Sequence, residues 1–118
     1  MRVTGALATH YHPDHIGGSM MGYKLQGVRE LLDQVGVKVH CNEAETPWVK
    51  RTTGLSDSDL ASHEAGDVVR VGDIEIELVH TPGHTLDSMA VHVGDRVFTG
   101  DTLLIGGTGR SDLPSGNP

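Results

Sequence analysis

Three histidines and one aspartate lie within six positions near the start of the sequence, where residues 9–15 read THYHPDH. Imidazole nitrogens and carboxylate oxygens are the side-chain ligands that bind zinc, iron or manganese at neutral pH. Side chains two apart on a strand point the same way, so His10 and His12 leave the end of the preceding strand together. The proline then interrupts regular structure, and Asp14 and His15 follow on the next bend. The spacing predicts a metal site.

Two later stretches each place one further ligand type directly after a strand. His84 lies in the stretch TPGHT, where Pro82 and Gly83 favour a tight turn at the end of an alternating apolar strand. Asp101 lies in the stretch FTGDT, where Gly100 permits a bend. Each residue alone is a weak signal. Together with the first cluster they predict a site assembled on loops at the ends of three strands.

The first half of the chain alternates strand and helix patterns. Residues 3–8 predict a short buried strand before the first cluster. Apolar residues recur at helical spacing from Leu25 to Val35 and predict a helix that ends near Gly36, followed by a strand over residues 37–41. Residues 44–51 predict a second short helix with Trp48 on its buried side. This order predicts an α/β chain.

The second half predicts strands and turns. Residues 55–65 predict a polar surface loop with a helical turn. Two hairpins follow, the first pairing residues 68–71 with 74–80 and the second pairing residues 89–93 with 96–99.

The order of these motifs resembles that of the metallo-β-lactamase superfamily: HxHxDH at residues 10–15, then TPGHT, then TGDT. The stretch GRSDLPxG at residues 109–116 is similar to the glyoxalase II-like hydrolases and the related persulfide dioxygenases. The resemblance covers almost the whole chain, although Asp87-Ser88 departs from both subfamilies.

The resemblance implies an α/β fold that is part of a four-layer αβ/βα sandwich, with residues 1–118 forming a single, incomplete domain. Full members typically have several strands before the first motif and a late metal-binding histidine after the Gly-Asp. The resemblance therefore implies a fragment truncated at both ends that lacks its last ligand.

A metal-dependent hydrolase follows from the resemblance, one that cleaves a thioester such as a hydroxyacylglutathione through a metal-bound hydroxide. The cofactor would be two divalent ions, zinc or else iron or manganese. The implied ligands are His10, His12 and His84 for the first ion, Asp14 and His15 for the second, and Asp101 as a bridge. Asp14 and Asp101 would be the catalytic carboxylates. Arg110 would either position an anionic substrate, such as a glutathione carboxylate, or be a solvated or internally paired arginine.

Two alternatives stay open. In a persulfide dioxygenase, His10, His84 and Asp101 would bind a single Fe²⁺ as a two-histidine, one-carboxylate triad, and the other members of the first cluster would support them. Alternatively, the chain is an inactive or metal-binding fragment. The tail that includes Leu113-Pro114 favours the hydrolase.

Composition narrows the classes of molecule that the chain is expected to bind. Nine basic against sixteen acidic side chains give a net charge of −7, which argues against binding to nucleic acid or to an anionic membrane surface. The single cysteine, Cys41, excludes an internal disulfide and is expected to be a small buried hydrophobic residue. The sequence shows no signal peptide and no apolar run of membrane-spanning length. We therefore expect a cytoplasmic protein with a small-molecule substrate.

Overall fold

The computed structural model describes residues 2–113 and 116. The chain divides into two compact units, here called the N-terminal unit (Met1–Ser62) and the C-terminal unit (His63–Pro118). In chain order the first elements are β1 (Ala6–Leu7), α1 (Pro13–Ile16), β2 (Gly18–Met20), β3 (Tyr23–Leu25), α2 (Val28–Gln34), β4 (Val39–Asn42), α3 (Thr46–Thr53) and β5 (Leu60–His63). The remaining elements are β6 (Val68–Val71), β7 (Ile74–His80), β8 (Met89–Val93) and β9 (Arg96–Phe98). None of the helices within these described residues has the length and apolar character of a membrane span.

A three-stranded sheet of order β1-β4-β5 forms the centre of the N-terminal unit. Strand β1 pairs with β4 in parallel, and the amide of Ala8 donates to the carbonyl oxygen of His40 at 2.9 Å. Strand β1 is shorter than the predicted strand over residues 3–8 because only Ala6–Leu7 pairs with β4. The core contains the buried side chains of Ala8, Ile16, Val39, Cys41, Val49, Leu55 and Leu60. Burial of these apolar groups fixes the end of β1, from which the first histidine cluster begins.

The predicted break at Pro13 is wrong, because this proline begins the short helix α1. A proline in the first helical turn is tolerated, since its missing N–H would have had no partner within the helix. The amides of His15 and Ile16 both donate to the carbonyl oxygen of His12, at 3.0 and 3.2 Å. The chain therefore turns helically just after His12.

The predicted helix after residue 25 is present as α2, but it begins later, at Val28. Leu25 instead ends a hairpin that the sequence analysis missed, in which β2 pairs with β3 and Gly18 lies opposite Leu25. The strand expected over residues 37–41 is present as β4, shifted to Val39–Asn42.

The helix expected over residues 44–51 is present as α3, but Trp48 is not on its buried side. Its side chain is 38% exposed, whereas Val49 is fully buried. The Trp48 ring stacks on Tyr11 with centroids 5.3 Å apart, and the guanidinium of Arg51 lies 4.9 Å from the Trp48 ring centroid. Residues 55–65 also contain more regular secondary structure than expected, because β5 follows a short 3₁₀ turn at Asp57–Asp59.

The C-terminal unit contains a four-stranded antiparallel sheet of order β6-β7-β8-β9. Both predicted hairpins are confirmed, with Val71 opposite Ile74 in the first and Val93 opposite Arg96 in the second. The buried core of this sheet consists of Val69, Leu78, Met89 and Val91. These strands hold the two loops that carry His84 and Asp101.

Candidate metal-binding clusters

The N-terminal unit gathers three imidazoles and one carboxylate from the end of β1 through helix α1, here called the N-terminal cluster (His10, His12, Asp14 and His15). The ring centroid of His10 lies 4.8 Å from that of His12 and 4.3 Å from that of His15. His10 is only 1% exposed, and the hydroxyl of Thr9 lies within hydrogen-bonding distance of its Nδ1 atom, at 3.0 Å. The predicted grouping of these histidines is therefore present in the structure.

The helical turn of α1 explains why His15 joins this cluster. Because the chain turns at residues 13–16, His15 returns towards His10 instead of continuing along the strand direction. Asp14 lies in the same turn with a half-exposed carboxylate, whose Oδ2 atom is 3.6 Å from Nε2 of His15. The cluster thus offers both nitrogen and oxygen donors, the mixture that suits zinc, iron or manganese.

A tight turn after β7 presents His84 in the C-terminal unit. The amide of Gly83 donates to the carbonyl oxygen of Thr85 at 2.9 Å, which closes the turn, and the amide of Thr81 donates to the carbonyl oxygen of Ser88 at 2.8 Å. His84 is 9% exposed, so its ring orientation depends on the groups packed around it. The expectation that the turn projects His84 from the strand end agrees with this geometry.

Asp101 follows β9 in a second loop of the same unit. Gly100 adopts a φ of 56°, a left-handed conformation that glycine adopts without strain, and this bend precedes the carboxylate. The Oδ2 atom of Asp101 lies 3.4 Å from Nε2 of His84. A hydrogen bond between the hydroxyls of Thr81 and Thr102, at 3.0 Å, joins the two loops.

The loop at residues 109–110 contacts both residues through its main chain, which the sequence analysis missed. The Nδ1–H group of His84 donates to the carbonyl oxygen of Arg110 at 2.7 Å. The amide of Gly109 donates to the carbonyl oxygen of Asp101 at 2.8 Å. The motif GRSD was the sequence signal for this loop. The prediction concerned its side chains, whereas its main chain makes the contacts.

The guanidinium of Arg110 points to Asp112. Its Nε and one terminal nitrogen donate to the two carboxylate oxygens at 2.7 and 2.9 Å, and both side chains are exposed. This pairing raises the pKa of Arg110 and lowers that of Asp112. Of the two expectations for Arg110, the structure contains the internally paired one. Pro114, which the tail motif also included, lies outside the described residues.

An open cavity of about 260 Å³ adjoins His84 within the C-terminal unit. Its wall includes the polar side chains of Thr102, Thr108 and Ser111. Hydroxyl groups can both donate and accept hydrogen bonds, so this cavity suits a small polar molecule.

Cys41 takes no part in these clusters. It is 1% exposed in the core of the N-terminal unit, as predicted. Burial, reinforced by the negative charge of Glu45, raises the pKa of this thiol to about 11. Its burial and its raised pKa are typical of an unreactive cysteine packed in the core.

Comparison with known proteins identifies the family. The sequence matches the family model of the metallo-β-lactamase superfamily over residues 1–118. The chain belongs to the metallo-β-lactamase superfamily. The α/β fold predicted from the sequence is therefore confirmed as part of the fold of that superfamily.

Relatives within the superfamily agree with the predicted branch. The chain is 37% identical, over 92% of its length, to a hydroxyacylglutathione hydrolase of Rhodopseudomonas palustris. It is 35% identical to the solved structure of ETHE1 from Myxococcus xanthus, with a TM-score of 0.69 over 97% of this chain and 42% of the other. The solved structure of TTHA1623 in a di-iron-bound form is 28% identical, with a TM-score of 0.67 over 95% of this chain and 56% of the other. The chain lies in the glyoxalase II-like and persulfide dioxygenase branch, and it spans 37% of the length of the R. palustris hydrolase.

Proposed function

We propose that this chain carries the metal-binding part of a metal-dependent hydrolase that cleaves a thioester of the hydroxyacylglutathione type. The observation that carries the proposal is the His84–Asp101 pair, in which a ring nitrogen and a carboxylate oxygen lie 3.4 Å apart. The Nδ1–H group of His84 donates a hydrogen bond to the carbonyl oxygen of Arg110, so Nε2 is the ring nitrogen that faces the carboxylate and carries the lone pair when the ring is neutral. Two electron-pair donors that face each other favour a cation.

The ligand assignment follows the family and the donor chemistry of each cluster. We propose His10, His12 and His84 for one divalent ion, Asp14 and His15 for a second, and Asp101 for both. In this proposal residues 1–118 belong to a single domain of the metallo-β-lactamase type. Zinc, iron and manganese all suit a set of imidazoles and carboxylates.

Bound divalent ions would supply Lewis acidity and lower the pKa of a coordinated water to near neutrality. The half-exposed carboxylate of Asp14 and the carboxylate of Asp101, which lies beside His84, would be the catalytic carboxylates. The hydroxyls of Thr102, Thr108 and Ser111 would orient the substrate in the adjoining cavity.

Arg110 is proposed as the group that binds an anionic part of the substrate. A substrate carboxylate would replace Asp112 as the partner of its guanidinium, which already holds a carboxylate in a two-point pair. The excess of acidic residues over basic ones argues against nucleic acid or an anionic membrane as the partner. The cytoplasmic location remains a prediction.

The name of the R. palustris relative supports the choice of substrate. The first test is elemental analysis of the chain purified without added metal, followed by an assay of hydroxyacylglutathione cleavage. We expect about two ions per chain, and we expect Asp101→Asn to lower the rate by roughly 100-fold or more, because metal ions supply several kcal/mol of transition-state stabilisation. Asp73→Asn, at the exposed turn between β6 and β7, is the matched control and should leave the rate unchanged. Equal rates for the Asp101 variant and the unaltered chain would contradict the proposal.

A persulfide dioxygenase is the second candidate. The His84–Asp101 pair supplies one histidine and the carboxylate of a two-histidine, one-carboxylate iron site, and His10 would supply the other histidine. One iron per chain, with oxygen consumed when glutathione persulfide is added, would support this candidate over the hydrolase. Metal binding without either activity would support a chain that only binds metal.

A further inference from the structure

The dipeptide Gly109-Arg110 connects the two ligands of the C-terminal unit through its main chain. The Arg110 carbonyl oxygen accepts the Nδ1–H of His84 at 2.7 Å, and the Gly109 amide donates to the Asp101 carbonyl oxygen at 2.8 Å. The same short segment therefore contacts the ring of one ligand and the backbone of the other.

The first of these bonds determines which ring nitrogen carries the proton. A carbonyl oxygen can only accept, so the proton of neutral His84 lies on Nδ1. The lone pair is then on Nε2, the atom that faces Asp101 at 3.4 Å. Hydrogen bonds of this kind fix the tautomer and the ring orientation of histidines that bind metals.

Close approach of the segment requires glycine at position 109. A Cβ atom there would overlap the carbonyl oxygen of Asp101 and would lie 2.9 Å from Nδ1 of His84. The overlap is with main-chain atoms, which cannot move aside as the end of a flexible side chain could. Any side chain at position 109 must therefore displace the segment from His84 or from Asp101.

We propose that Gly109 is a positioning residue of the metal site. Its lack of a side chain lets the carbonyl oxygen of Arg110 hold His84 as the Nδ1–H tautomer, with Nε2 directed towards Asp101. The inference rests on the proposed function, because it takes His84 to be a metal ligand. It assigns to position 110 a main-chain role that is separate from the role proposed for its guanidinium.

Three variants of the full chain test this role. Gly109→Ala introduces the overlap. Gly107→Ala is the matched control in the same loop, because a Cβ atom at position 107 meets nothing within 4 Å. Arg110→Ala removes the guanidinium but keeps the carbonyl oxygen. Zn²⁺ affinity is measured by competition with a chelator, and the His84 tautomer is measured by ¹⁵N NMR on the metal-free protein at mildly alkaline pH.

We expect Gly109→Ala to weaken Zn²⁺ binding by about 10- to 100-fold and to let His84 populate both tautomers. Gly107→Ala and Arg110→Ala should keep the affinity and the Nδ1–H tautomer of the unaltered chain. Unchanged affinity and tautomer in Gly109→Ala would overturn the inference. An equal loss of affinity in Arg110→Ala would also overturn it, because the side chain would then be responsible.

Measurement of the His84 tautomer distinguishes a failure of this inference from a failure of the proposed function. If the unaltered chain binds no Zn²⁺ at His84, the proposed function fails, while the metal-free tautomer still reports whether residues 109–110 orient the ring. If Gly109→Ala does not fold, the His84 tautomer of the unaltered chain tests the inference. An Nε2–H tautomer of its His84 would contradict the inference, and an Nδ1–H signal protected from exchange, retained in Arg110→Ala, would support it.

Discussion

The Oγ atom of Ser88 lies 2.5 Å from the Oγ1 atom of Thr85, the residue that directly follows His84. The same Ser88 oxygen accepts a hydrogen bond from the amide of Thr85 at 3.2 Å, and both side chains are buried. Ser88 therefore satisfies two polar groups of the turn that presents His84. The Asp87-Ser88 pair, which departs from the motifs of both subfamilies, includes a residue that supports the turn.

Replacing Ser88 by alanine should destabilise this turn. The change removes two hydrogen bonds to buried groups of Thr85, which together contribute about 1–3 kcal/mol to the free energy of unfolding. Denaturant titration measures the loss. Ser58→Ala is the control, because Ser58 is exposed and its bond to Ser56 lies at the surface. Equal stabilities of the two variants would show that Ser88 is not needed for the turn.

Metal binding to the N-terminal cluster should change the fluorescence of Trp48. This residue is the single tryptophan of the chain; its ring stacks on Tyr11, and the Tyr11 ring centroid lies 4.8 Å from that of His12. We expect Co²⁺, which quenches nearby indole rings, to reduce the emission, and we expect a chelator to restore it. His12→Ala should weaken the response. Emission that stays constant through a Co²⁺ titration would argue against binding at this cluster.

Stability should fall at alkaline pH because of Cys41. Burial raises the pKa of its thiol from 9.0 to about 11, so the folded chain retains a proton that the unfolded chain releases. Below pH 9 the thiol is protonated in both states and the free energy of unfolding keeps its full value. As the pH rises from 9 to 11, the free energy of unfolding falls by roughly 2 kcal/mol. Unfolding free energies measured across this range test the expectation. In Cys41→Ala the decrease over the same range should be smaller, and an identical decrease would assign it to other groups.

An alanine at position 27 should destabilise the N-terminal unit. A Cβ atom on Gly27 would overlap the carbonyl group of Ile16, where the chain before α2 packs against the end of α1. Such an overlap costs about 1–3 kcal/mol, to be measured as the shift in the unfolding midpoint. Gly36→Ala is the matched control, because a Cβ atom there meets nothing within 4 Å. If Gly27→Ala kept the stability of the control variant, the close approach at Gly27 would be refuted.

The sequence predicted the parts of the fold that local patterns determine. The hairpins at β6–β7 and β8–β9 were predictable because short turns separate strands of alternating character. Trp48 was placed wrongly because side-chain size suggests burial, whereas its ring is covered by Tyr11 and Arg51 on a partly exposed face. The hairpin β2–β3 was missed because its last residue, Leu25, also fits the start of the helical pattern.

The ligand types of the candidate site were predictable from the sequence, whereas the main-chain hydrogen bonds that hold the ligands were not. The residue types of the first cluster and of His84 are enough to identify them as possible metal ligands. The carbonyl oxygen of Arg110 and the amide of Gly109 do not, because every residue except proline offers the same two main-chain groups. Their contribution depends on where the chain returns after Asp101, which no local pattern determines.

The bond between His84 and a main-chain carbonyl has an evolutionary consequence. A backbone acceptor survives any substitution that preserves the path of the chain, so the residue type at position 110 can vary while His84 keeps its orientation. At position 109, in contrast, a Cβ atom would overlap the carbonyl oxygen of Asp101. If His84 binds metal and Arg110 binds substrate as proposed, the residue at position 110 can therefore change with the substrate while the His84 ring keeps its orientation.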